Sequence, residues 1–300
     1  MTIRSVAIIG LGLLGGSIGL AIRERASDIV TTGYDSDPAV RDAARQRGLV
    51  QSACESAGEA VSSADLVVLC VPVGAMEQAA RDLSAALPAN AIISDVGSSK
   101  KSVLDALMTA LPDHVVIPAH PVAGTEQSGP DAGFATLFAE RWCILTPPAN
   151  ADEAAVSSLS QFWARLGAKV EIMDAEHHDL VLAVTSHIPH LIAFTIVGTA
   201  SDLEDVTRSE VIKYSAGGFR DFTRIAASDP VMWRDVFLNN KGAVLEMLGR
   251  FTEDLTAMQR AIRSGDGDAL HDLFSRTRAI RREVIDQGQD DEKPDFGREH

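Results

Sequence analysis

The chain has 300 residues, of which 46% are hydrophobic and 23% charged, and its formal net charge at pH 7 is −15. This length predicts two domains, and the composition is that of a globular protein with a buried core. The acidic balance argues against binding to nucleic acid or to an anionic membrane, although a local basic pocket can still accept an anionic substrate.

The cysteines and the apolar stretches bear on the compartment. Cys54, Cys70 and Cys143 lie far apart and form no paired motif, so we expect no disulfide framework and a reducing, cytoplasmic location. The N-terminus enters a strand pattern at once and shows no signal peptide. The longest apolar stretch, around Leu191 to Ala200, is too short to span a bilayer, so we expect no membrane partner.

A glycine-rich turn between a strand and a helix opens the chain. Ser5–Ile9 is a short apolar run, typical of a strand buried on both faces, and a helical pattern covers Gly16–Arg25. The residues between them match the dinucleotide-binding motif G-x-G-x-x-G, in which the backbone approaches a pyrophosphate and the helix N-terminus donates to it. The residues predicted to contact the cofactor here are Gly10, Gly12, Leu13, Leu14 and Gly15.

A carboxylate follows the second predicted strand, Ile29–Tyr34. Asp35 lies about twenty residues after Gly15, where a carboxylate can accept hydrogen bonds from both ribose hydroxyls of a dinucleotide. It would repel a 2′-phosphate at that position, and the next arginine is Arg41. The sequence therefore predicts NAD rather than NADP.

Short apolar strands continue to alternate with helices as far as Met173, which predicts an α/β fold with a doubly wound parallel sheet. Ligands bind beyond the carboxyl ends of such strands. The loops that contain Gly10, Val71–Pro72, Asp95–Lys100 and Ala119–Gly129 should therefore lie on one rim. Val71 and Pro72 are predicted to contact the cofactor there. The strands predicted after the second are Leu66–Val71, Ala91–Ser94, Val115–Ile117, Arg141–Thr146 and Lys169–Met173, and the helices are Pro38–Arg47, Met76–Leu87, Lys101–Leu111 and Ala151–Leu166.

His120 lies in the last of these loops, between Ala119 and Pro121, which favours an extended backbone. A lone histidine is more often structural than functional. Its predicted place on the rim, near Ser98 and the nicotinamide end of a bound cofactor, favours catalysis instead. A neutral imidazole is suited to accept a proton near pH 7.

Long helical patterns replace the alternation from Ala175 onward. Large helical C-terminal domains of this kind often pair with a second copy. We therefore predict three parts: a dinucleotide-binding domain over 1–174, an all-α substrate and dimerisation domain over 175–285, and an acidic disordered tail over 286–300. The predicted helices are Glu176–Ala200, interrupted at Pro189, then Glu204–Lys213, then a helical segment over Val231–Arg263, and Asp268–Ile285.

The helical part contains polar groups that could bind an anion. His187 and His190 are three residues apart and share a helix face. Arg220 and Arg224 follow a glycine break, and a guanidinium can bind a carboxylate through two parallel hydrogen bonds. Two core histidines and a helix-end salt bridge to a neighbouring aspartate are equally good interpretations of these residues. Trp233 is interpreted as core or cleft wall.

Four separated motifs resemble the prephenate dehydrogenase family. They are Asp95–Lys100, His120–Gly129, Ser186–His190 and Gly217–Asp235, and the match runs in order from about Val6 to Ile285. The resemblance implies a Rossmann domain followed by a dimerising helical domain, with the active site between them. It also implies NAD-dependent oxidative decarboxylation of the dicarboxylate prephenate, or of arogenate, in tyrosine biosynthesis.

The same resemblance implies roles for individual residues. His120 matches the histidine that takes the proton of the substrate's ring hydroxyl, and Ser98 matches the serine that orients it. One extra residue before His120 leaves Ser99 as an alternative to Ser98. The residues that match substrate-binding or cleft positions are His190, Arg224, Glu126 and Gly217, with His187 as a further candidate.

Three alternatives remain open from the sequence. A dehydrogenase of the 3-hydroxyacid type shares the Rossmann domain and the helices, but it would use a lysine and leave His120 incidental. A non-catalytic NAD-sensing module explains the glycine turn but not His120, Ser98 and Arg224 together. A metal hydrolase would use His177, His178 and Asp179 with His187 and His190, but their spacing is irregular. Solvated helix residues are the simpler interpretation of His177 and His178.

Overall fold

The computed structural model describes residues 2–125, 127–202, 210, 213–214 and 217–286. A parallel sheet of six strands, in the order β3-β2-β1-β4-β5-β6, organises the N-terminal part. The strand order reverses between β1 and β4, and in such sheets ligands bind at this switch point. The predicted doubly wound parallel sheet is thus confirmed. Its strands are β1 (Ser5–Ile9), β2 (Val30–Tyr34), β3 (Ser52–Ala53), β4 (Leu66–Leu69), β5 (Ile92–Asp95) and β6 (Val115–Val116).

Helices cover both faces of this sheet. Alternate residues of each strand enter two separate hydrophobic cores, with Ile8 and Val68 in one and Ile9 and Leu69 in the other. Burial on both faces explains why the strands are continuous apolar runs. The flanking helices are α1 (Leu13–Arg25), α2 (Pro38–Arg47), α3 (Ala57–Val61), α4 (Met76–Leu83), α5 (Lys101–Ala110) and α6 (Glu153–Arg165).

A second, three-stranded sheet was not predicted, and it carries His120. It consists of β7 (Ala119–Pro121), β8 (Trp142–Leu145) and β9 (Lys169–Ile172). β7 runs antiparallel to β8, and His120 pairs with Ile144. The prediction of a loop at His120 was therefore wrong. The run is short and contains a proline, so the sequence alone does not indicate a strand here. Its partner β8 comes later in the chain.

The described C-terminal part is helical, as predicted, but two helix limits differ. The irregularity expected at Pro189 is a π-helical turn over Ala183–His187, because a proline disturbs the carbonyls of the preceding turn. The predicted helical segment Val231–Arg263 breaks at Asn240, whose side chain bonds to the distant Asp179 carbonyl. The helices are α7 (Ala175–Leu182), α8 (Ile188–Ser201), α9 (Gly217–Thr223), α10 (Pro230–Asn239), α11 (Lys241–Ser264) and α12 (Gly267–Asp286).

Helix Ala175–Ser201, which includes the π-helical turn, has 27 residues and contains an 18-residue window with a mean hydropathy of 1.9, enough by length and composition to cross a membrane. The expectation that the longest apolar segment is too short was therefore wrong, because the helix extends well before Leu191. His178, Asp179 and His187 on it are buried and hydrogen-bonded. Such polar contacts are those of a helix packed against protein.

The chain divides into two compact units, Met1–Val244 and Leu245–His300. The first unit contains both sheets and helices α1 to α10. The predicted boundaries at 174/175 and 285/286 stay predictions. Most of the predicted helix Glu204–Lys213, and the tail after Asp286, lie outside the described residues.

A buried ion pair fixes the strand that carries His120. Lys100 and Asp95 are both fully buried and bond to each other. The Lys100 ammonium also donates to the Ala119 carbonyl at 2.8 Å, and Asp95 accepts from the Ala119 N–H at 3.2 Å. Both backbone groups of the residue before His120 are therefore bound by one ion pair.

We expect Lys100→Met to lower the free energy of unfolding by about 3–5 kcal/mol, because it leaves the Asp95 carboxylate buried without its counter-charge. Urea denaturation measures the change. Lys101→Met is the matched control, since the Lys101 side chain forms only an exposed pair with Asp105. Equal stability of the two variants would contradict the role of the buried pair.

Candidate functional site

A cavity of 680 Å³ lies beyond the carboxyl ends of β1, β4 and β5. Its position agrees with the rule for ligand sites in open parallel sheets. The loops after three strands, the segment after His120 and the helical part of the first unit all contribute to its wall. The lining includes Gly12, Leu13, Leu14, Cys70–Val73, Val96–Ser98, His120–Thr125, Gln127–Gly129, Leu182, Ser186, His190, Arg224, Ile225, Ser228, Asp229, Val231–Trp233 and Val236.

The glycine turn is shaped to admit a pyrophosphate. Gly10 has φ +98°, and a Cβ on Gly15 would lie 1.9 Å from the Gly10 carbonyl oxygen, so neither position accepts a side chain. A Cβ on Gly12 would meet nothing within 4 Å, so its backbone faces open space. Helix α1 starts directly after Gly12 without a side-chain cap or an acidic residue in its first turn. Its free N–H groups therefore suit the phosphates of a dinucleotide.

Asp35 belongs to the same turn. One of its carboxylate oxygens accepts the Leu11 N–H at 2.9 Å, and the other accepts the Asp37 N–H at 3.0 Å. These bonds hold the carboxylate beside the glycine turn, where a ribose would lie. Among the predicted cofactor residues, Gly12, Leu13, Leu14, Val71 and Pro72 line the cavity, whereas Gly10, Gly15 and Asp35 form its supporting turn.

His120 lines the cavity with only 7% of its surface exposed. Burial lowers the pKa of His120 well below its usual value, and the Lys100 ammonium and the neighbouring imidazoles of His178 and His187 act in the same direction. The imidazole is therefore neutral near pH 7. A neutral imidazole at the wall of a cavity can act as a general base.

His178 is the main functional residue that the sequence interpretation missed. It is fully buried, and its Nε2 lies 2.8 Å from Nδ1 of His120. The interpretation of His177 and His178 as a solvated pair is therefore wrong for His178, although His177 is exposed. The spacing of Ala175, His178, Asp179 and Leu182 is that of a buried helix stripe and could have revealed it.

The structure separates the two candidate serines. Ser98 lines the cavity. Ser99 is fully buried, and its hydroxyl has no hydrogen-bond partner among the described residues. The extra residue before His120 therefore does not bring Ser99 into the cavity wall.

His187 also lies behind the cavity wall and does not line it, so its assignment as a substrate contact stays a prediction. It is fully buried, and its Nδ1 accepts from the Asn240 side chain at 3.1 Å. Burial lowers its pKa to about 4, against an opposing effect of Asp179. Its neutral ring packs edge-on against Trp233, with 6.1 Å between the ring centroids.

His190, Trp233 and Arg224 form the other side of the cavity. Trp233 stacks on His190 with ring centroids 3.7 Å apart, and Nδ1 of His190 donates to the Ser186 carbonyl at 2.8 Å. Burial and the positive charge of Arg224 both lower the pKa of His190, whereas the hydrogen bond to the Ser186 carbonyl raises it. The wall therefore presents a neutral imidazole beside a guanidinium.

Gly217 and Arg220 are not brought to this wall. Gly217 begins α9 and does not line the cavity. Arg220 is exposed and pairs with Asp221 at 3.8 Å. Glu126 lies outside the described residues.

Two family models match the chain. The nucleotide-binding domain of prephenate dehydrogenase matches residues 18–172, and the dimerization domain of prephenate dehydrogenase matches residues 174–276. Cyclohexadienyl dehydrogenase of Zymomonas mobilis is 44% identical over 278 residues, which cover 93% of this chain and 95% of that protein. Prephenate dehydrogenase of Bacillus subtilis is 32% identical over 92% of this chain and 75% of its own length.

A solved structure has the same fold over nearly the whole chain. Prephenate dehydrogenase of Aquifex aeolicus, in complex with hydroxyphenyl propionate and NAD+, superposes with a TM-score of 0.88 at 32% identity. The match covers 95% of this chain and 99% of that one.

We expect the buried His187 to make stability depend on pH. Its folded pKa of about 4 lies below the unfolded value of 6.5, so the unfolded chain binds the proton first as the pH falls. Stability is therefore lost between about pH 6.5 and 4, and His187 accounts for about 2 kcal/mol of the loss between pH 7 and pH 5.

Urea unfolding of wild type, His187→Gln and the exposed control His177→Gln at several pH values measures this contribution. The His187 variant should lose less stability on acidification than the other two proteins. A parallel loss in all three would contradict the assignment.

Proposed function

Since the chain belongs to the prephenate dehydrogenase family, we propose that it catalyses the NAD-dependent oxidative decarboxylation of prephenate. The products are 4-hydroxyphenylpyruvate, CO2 and NADH, and the reaction belongs to tyrosine biosynthesis. The observation that carries the proposal is a neutral His120 on the wall of a cavity that also contains the glycine turn and Arg224.

His120 is the general base in this proposal. NAD+, when bound, accepts a hydride from the ring carbon that carries the hydroxyl. His120 takes the hydroxyl proton as the carbonyl forms, which requires an imidazole that is neutral and close to the substrate. Loss of the ring carboxylate as CO2 then makes the ring aromatic and drives the reaction forward. Ser98, on the same wall, orients the hydroxyl toward His120.

Arg224 and His190 bind the substrate. Prephenate carries a ring carboxylate and a pyruvyl side chain with a second carboxylate, so a cation is needed in a chain of net charge −15. A guanidinium suits a carboxylate because it donates two parallel hydrogen bonds. With its Nδ1 bound to Ser186, His190 offers Nε2 to the substrate.

The cofactor is NAD. The N–H groups that follow Gly12 bind the pyrophosphate, and Asp35 accepts from the ribose hydroxyls. The negative charge of Asp35 disfavours a 2′-phosphate. The fit of the glycine turn described above supports this assignment.

A homodimer is the assembly that the helical surfaces support. The second unit exposes large apolar side chains, each with 47–65% of its surface accessible. Unpartnered apolar faces of this kind mark interaction surfaces, and the matched dimerization domain covers 174–276. The proposed domain division is 1–174 and 175–285, and the proposed location is the cytoplasm. The exposed side chains are Leu245, Leu255, Ile262, Phe274 and Ile280.

Arogenate is the second candidate substrate. It differs from prephenate only in carrying an amino acid in place of the pyruvyl side chain. The relative from Zymomonas mobilis, which is 44% identical, is a cyclohexadienyl dehydrogenase. Side-by-side kinetics on the two compounds decide the preference.

The purified protein, given prephenate and NAD+, should form NADH that is measured by its absorbance. We expect 4-hydroxyphenylpyruvate in equal amount, identified by chromatography. Absence of turnover with both prephenate and arogenate would contradict the proposed function.

We expect His120→Asn to lower kcat by about 10²-fold or more, since a general base contributes roughly 10²–10⁴ in rate. NAD+ affinity, measured by fluorescence titration, should stay unchanged because the glycine turn is untouched. His114→Asn is the control, since His114 precedes β6 and does not line the cavity. A kcat within twofold of wild type would remove His120 from its role.

We expect Asp35→Ala to lower the ratio of kcat/KM for NAD+ over that for NADP+, because the repulsion of the 2′-phosphate is lost. The exposed neighbour Asp37 provides the control variant Asp37→Ala. An unchanged cofactor ratio in the Asp35 variant would show that this carboxylate does not contact the ribose.

A further inference from the structure

We propose that His178 and Asp179 are positioning residues that hold His120 in the one neutral tautomer whose Nε2 is free to accept a proton. This inference rests on the proposed role of His120 as the base. It concerns a hydrogen-bonded chain that leads from the N-terminus of α5 to the cavity wall. The groups at the α5 end, which is the inner end, determine which atoms donate and which accept along it.

The inner end of the chain is the Asp179 carboxylate. Its Oδ1 accepts the Lys100 N–H at 2.7 Å, and its Oδ2 accepts the Lys101 N–H at 3.0 Å. A backbone N–H can only donate a hydrogen bond, so both oxygens of Asp179 are acceptors here. Helix α5 has no side-chain cap from its own N-cap residue. Asp179 therefore caps α5 as an ionised acceptor, favoured by the helix dipole.

The next link is His178, whose Nδ1 lies 2.9 Å from Oδ1 of Asp179. Because Asp179 is an acceptor, Nδ1 of His178 must carry the proton and donate it. Burial lowers the pKa of His178, while its bond to Asp179 opposes that shift. In the neutral ring, Nε2 of His178 then carries a lone pair.

The last link is His120, whose Nδ1 faces that lone pair at 2.8 Å. Nδ1 of His120 must therefore be the donor, which leaves the lone pair on Nε2. The rings of His120 and His178 are inclined at 68° with centroids 5.1 Å apart, so they meet edge to face rather than stacked. The order of donors thus runs from His120 to His178 to Asp179.

The inner links of this hydrogen-bonded chain are buried, which favours one order of donors and acceptors. His178 and Asp179 are buried, and the Asp179 carbonyl and Nδ1 of His187 both bind the side-chain amide of Asn240. The charged or titratable groups around His120 are His178, His187 and the Lys100–Asp95 pair. Among these, only His178 presents an acceptor to Nδ1 of His120, and we call His178 and Asp179 the dyad.

The dyad also affects the charge that forms during the reaction. When His120 takes the substrate proton on Nε2, both of its ring nitrogens carry protons and the ring becomes positive. His178 accepts from the new imidazolium, and the negative charge of Asp179 stabilises it through His178. The proton stays on His120, since Asp179 already accepts from backbone donors.

The tautomer can be measured without any turnover. The full-length protein, labelled with ¹⁵N at histidine, should show His120 as a neutral ring with its proton on Nδ1 in two-bond ¹H–¹⁵N spectra near pH 7. The signal is assigned from its loss in His120→Asn. A proton on Nε2 of His120 in the wild-type protein would overturn the inference, whatever the substrate proves to be.

Kinetics of two variants at His178 test the function of the dyad. His178→Leu removes the acceptor, so we expect kcat to fall by about 10²-fold or more, toward the loss in His120→Asn, with KM for prephenate and NAD+ affinity nearly unchanged. His178→Gln can accept from His120 and donate to Asp179, so we expect it to recover most of the lost rate. His177→Gln is the exposed control on the same helix.

The pH profile separates positioning from a general loss of packing. In Asp179→Asn the charge that stabilises the imidazolium is gone, so the acid limb of kcat/KM should move to lower pH while the plateau falls. A fold defect alone would lower the plateau without moving the limb. Since Asp179→Asn can also weaken the cap of α5, thermal unfolding of each variant accompanies the assay.

The outcomes are distinct. Wild-type rates and an unmoved limb in both His178→Leu and Asp179→Asn would overturn the inference and leave the proposed function standing. Equal losses in His178→Leu and His178→Gln would also overturn it, since the polarity of the side chain would then be irrelevant. Failure of the wild-type protein to oxidise prephenate or arogenate would contradict the proposed function, and the ¹⁵N spectrum would still decide the tautomer.

Discussion

The buried ion pair between Lys100 and Asp95 is the interaction on which the site depends. Two charges without solvent are costly unless their geometry satisfies both. Here the pair also binds both backbone groups of Ala119, and these hydrogen bonds offset part of the cost. They also fix the residue next to His120. The backbone N–H groups of Lys100 and Lys101 bind Asp179 from the helical segment. One short stretch after β5 therefore joins the parallel sheet, the second sheet and α7.

Much of the fold was readable from the sequence because its signals are local. The glycine turn, the apolar strands and the change to helices at Ala175 each depend on neighbouring residues. The features that were missed depend on distant partners. His120 lies in a strand only because β8 pairs with it, and the break at Asn240 reflects a bond to Asp179, 61 residues away. His178 was taken for a solvated residue because its partner, His120, comes 58 residues earlier.

The candidate site combines a strongly acidic chain with neutral imidazoles on the cavity wall and behind it. His120, His187 and His190 have lowered pKa values, and burial is the largest cause in each case. Carboxylates near the site are used for structure, since Asp95 neutralises Lys100 and Asp179 caps a helix. Asp229, which lines the cavity, likewise caps α10 by accepting the Met232 N–H at 2.7 Å. The substrate's negative charges would meet the guanidinium of Arg224 on the same wall. The site thus remains compatible with a dicarboxylate despite the net charge of −15.

The π-helical turn over Ala183–His187 has a consequence for how the chain tolerates length changes. Such a turn contains one residue more than a regular turn, which shifts the angular phase of everything that follows. His178 precedes it and His190 follows it, and both contribute to one site. Deleting a single residue there would restore a regular helix and rotate His190 by about 100° about the axis. Homologous chains of different length should therefore vary at loops and keep the residue count of this turn.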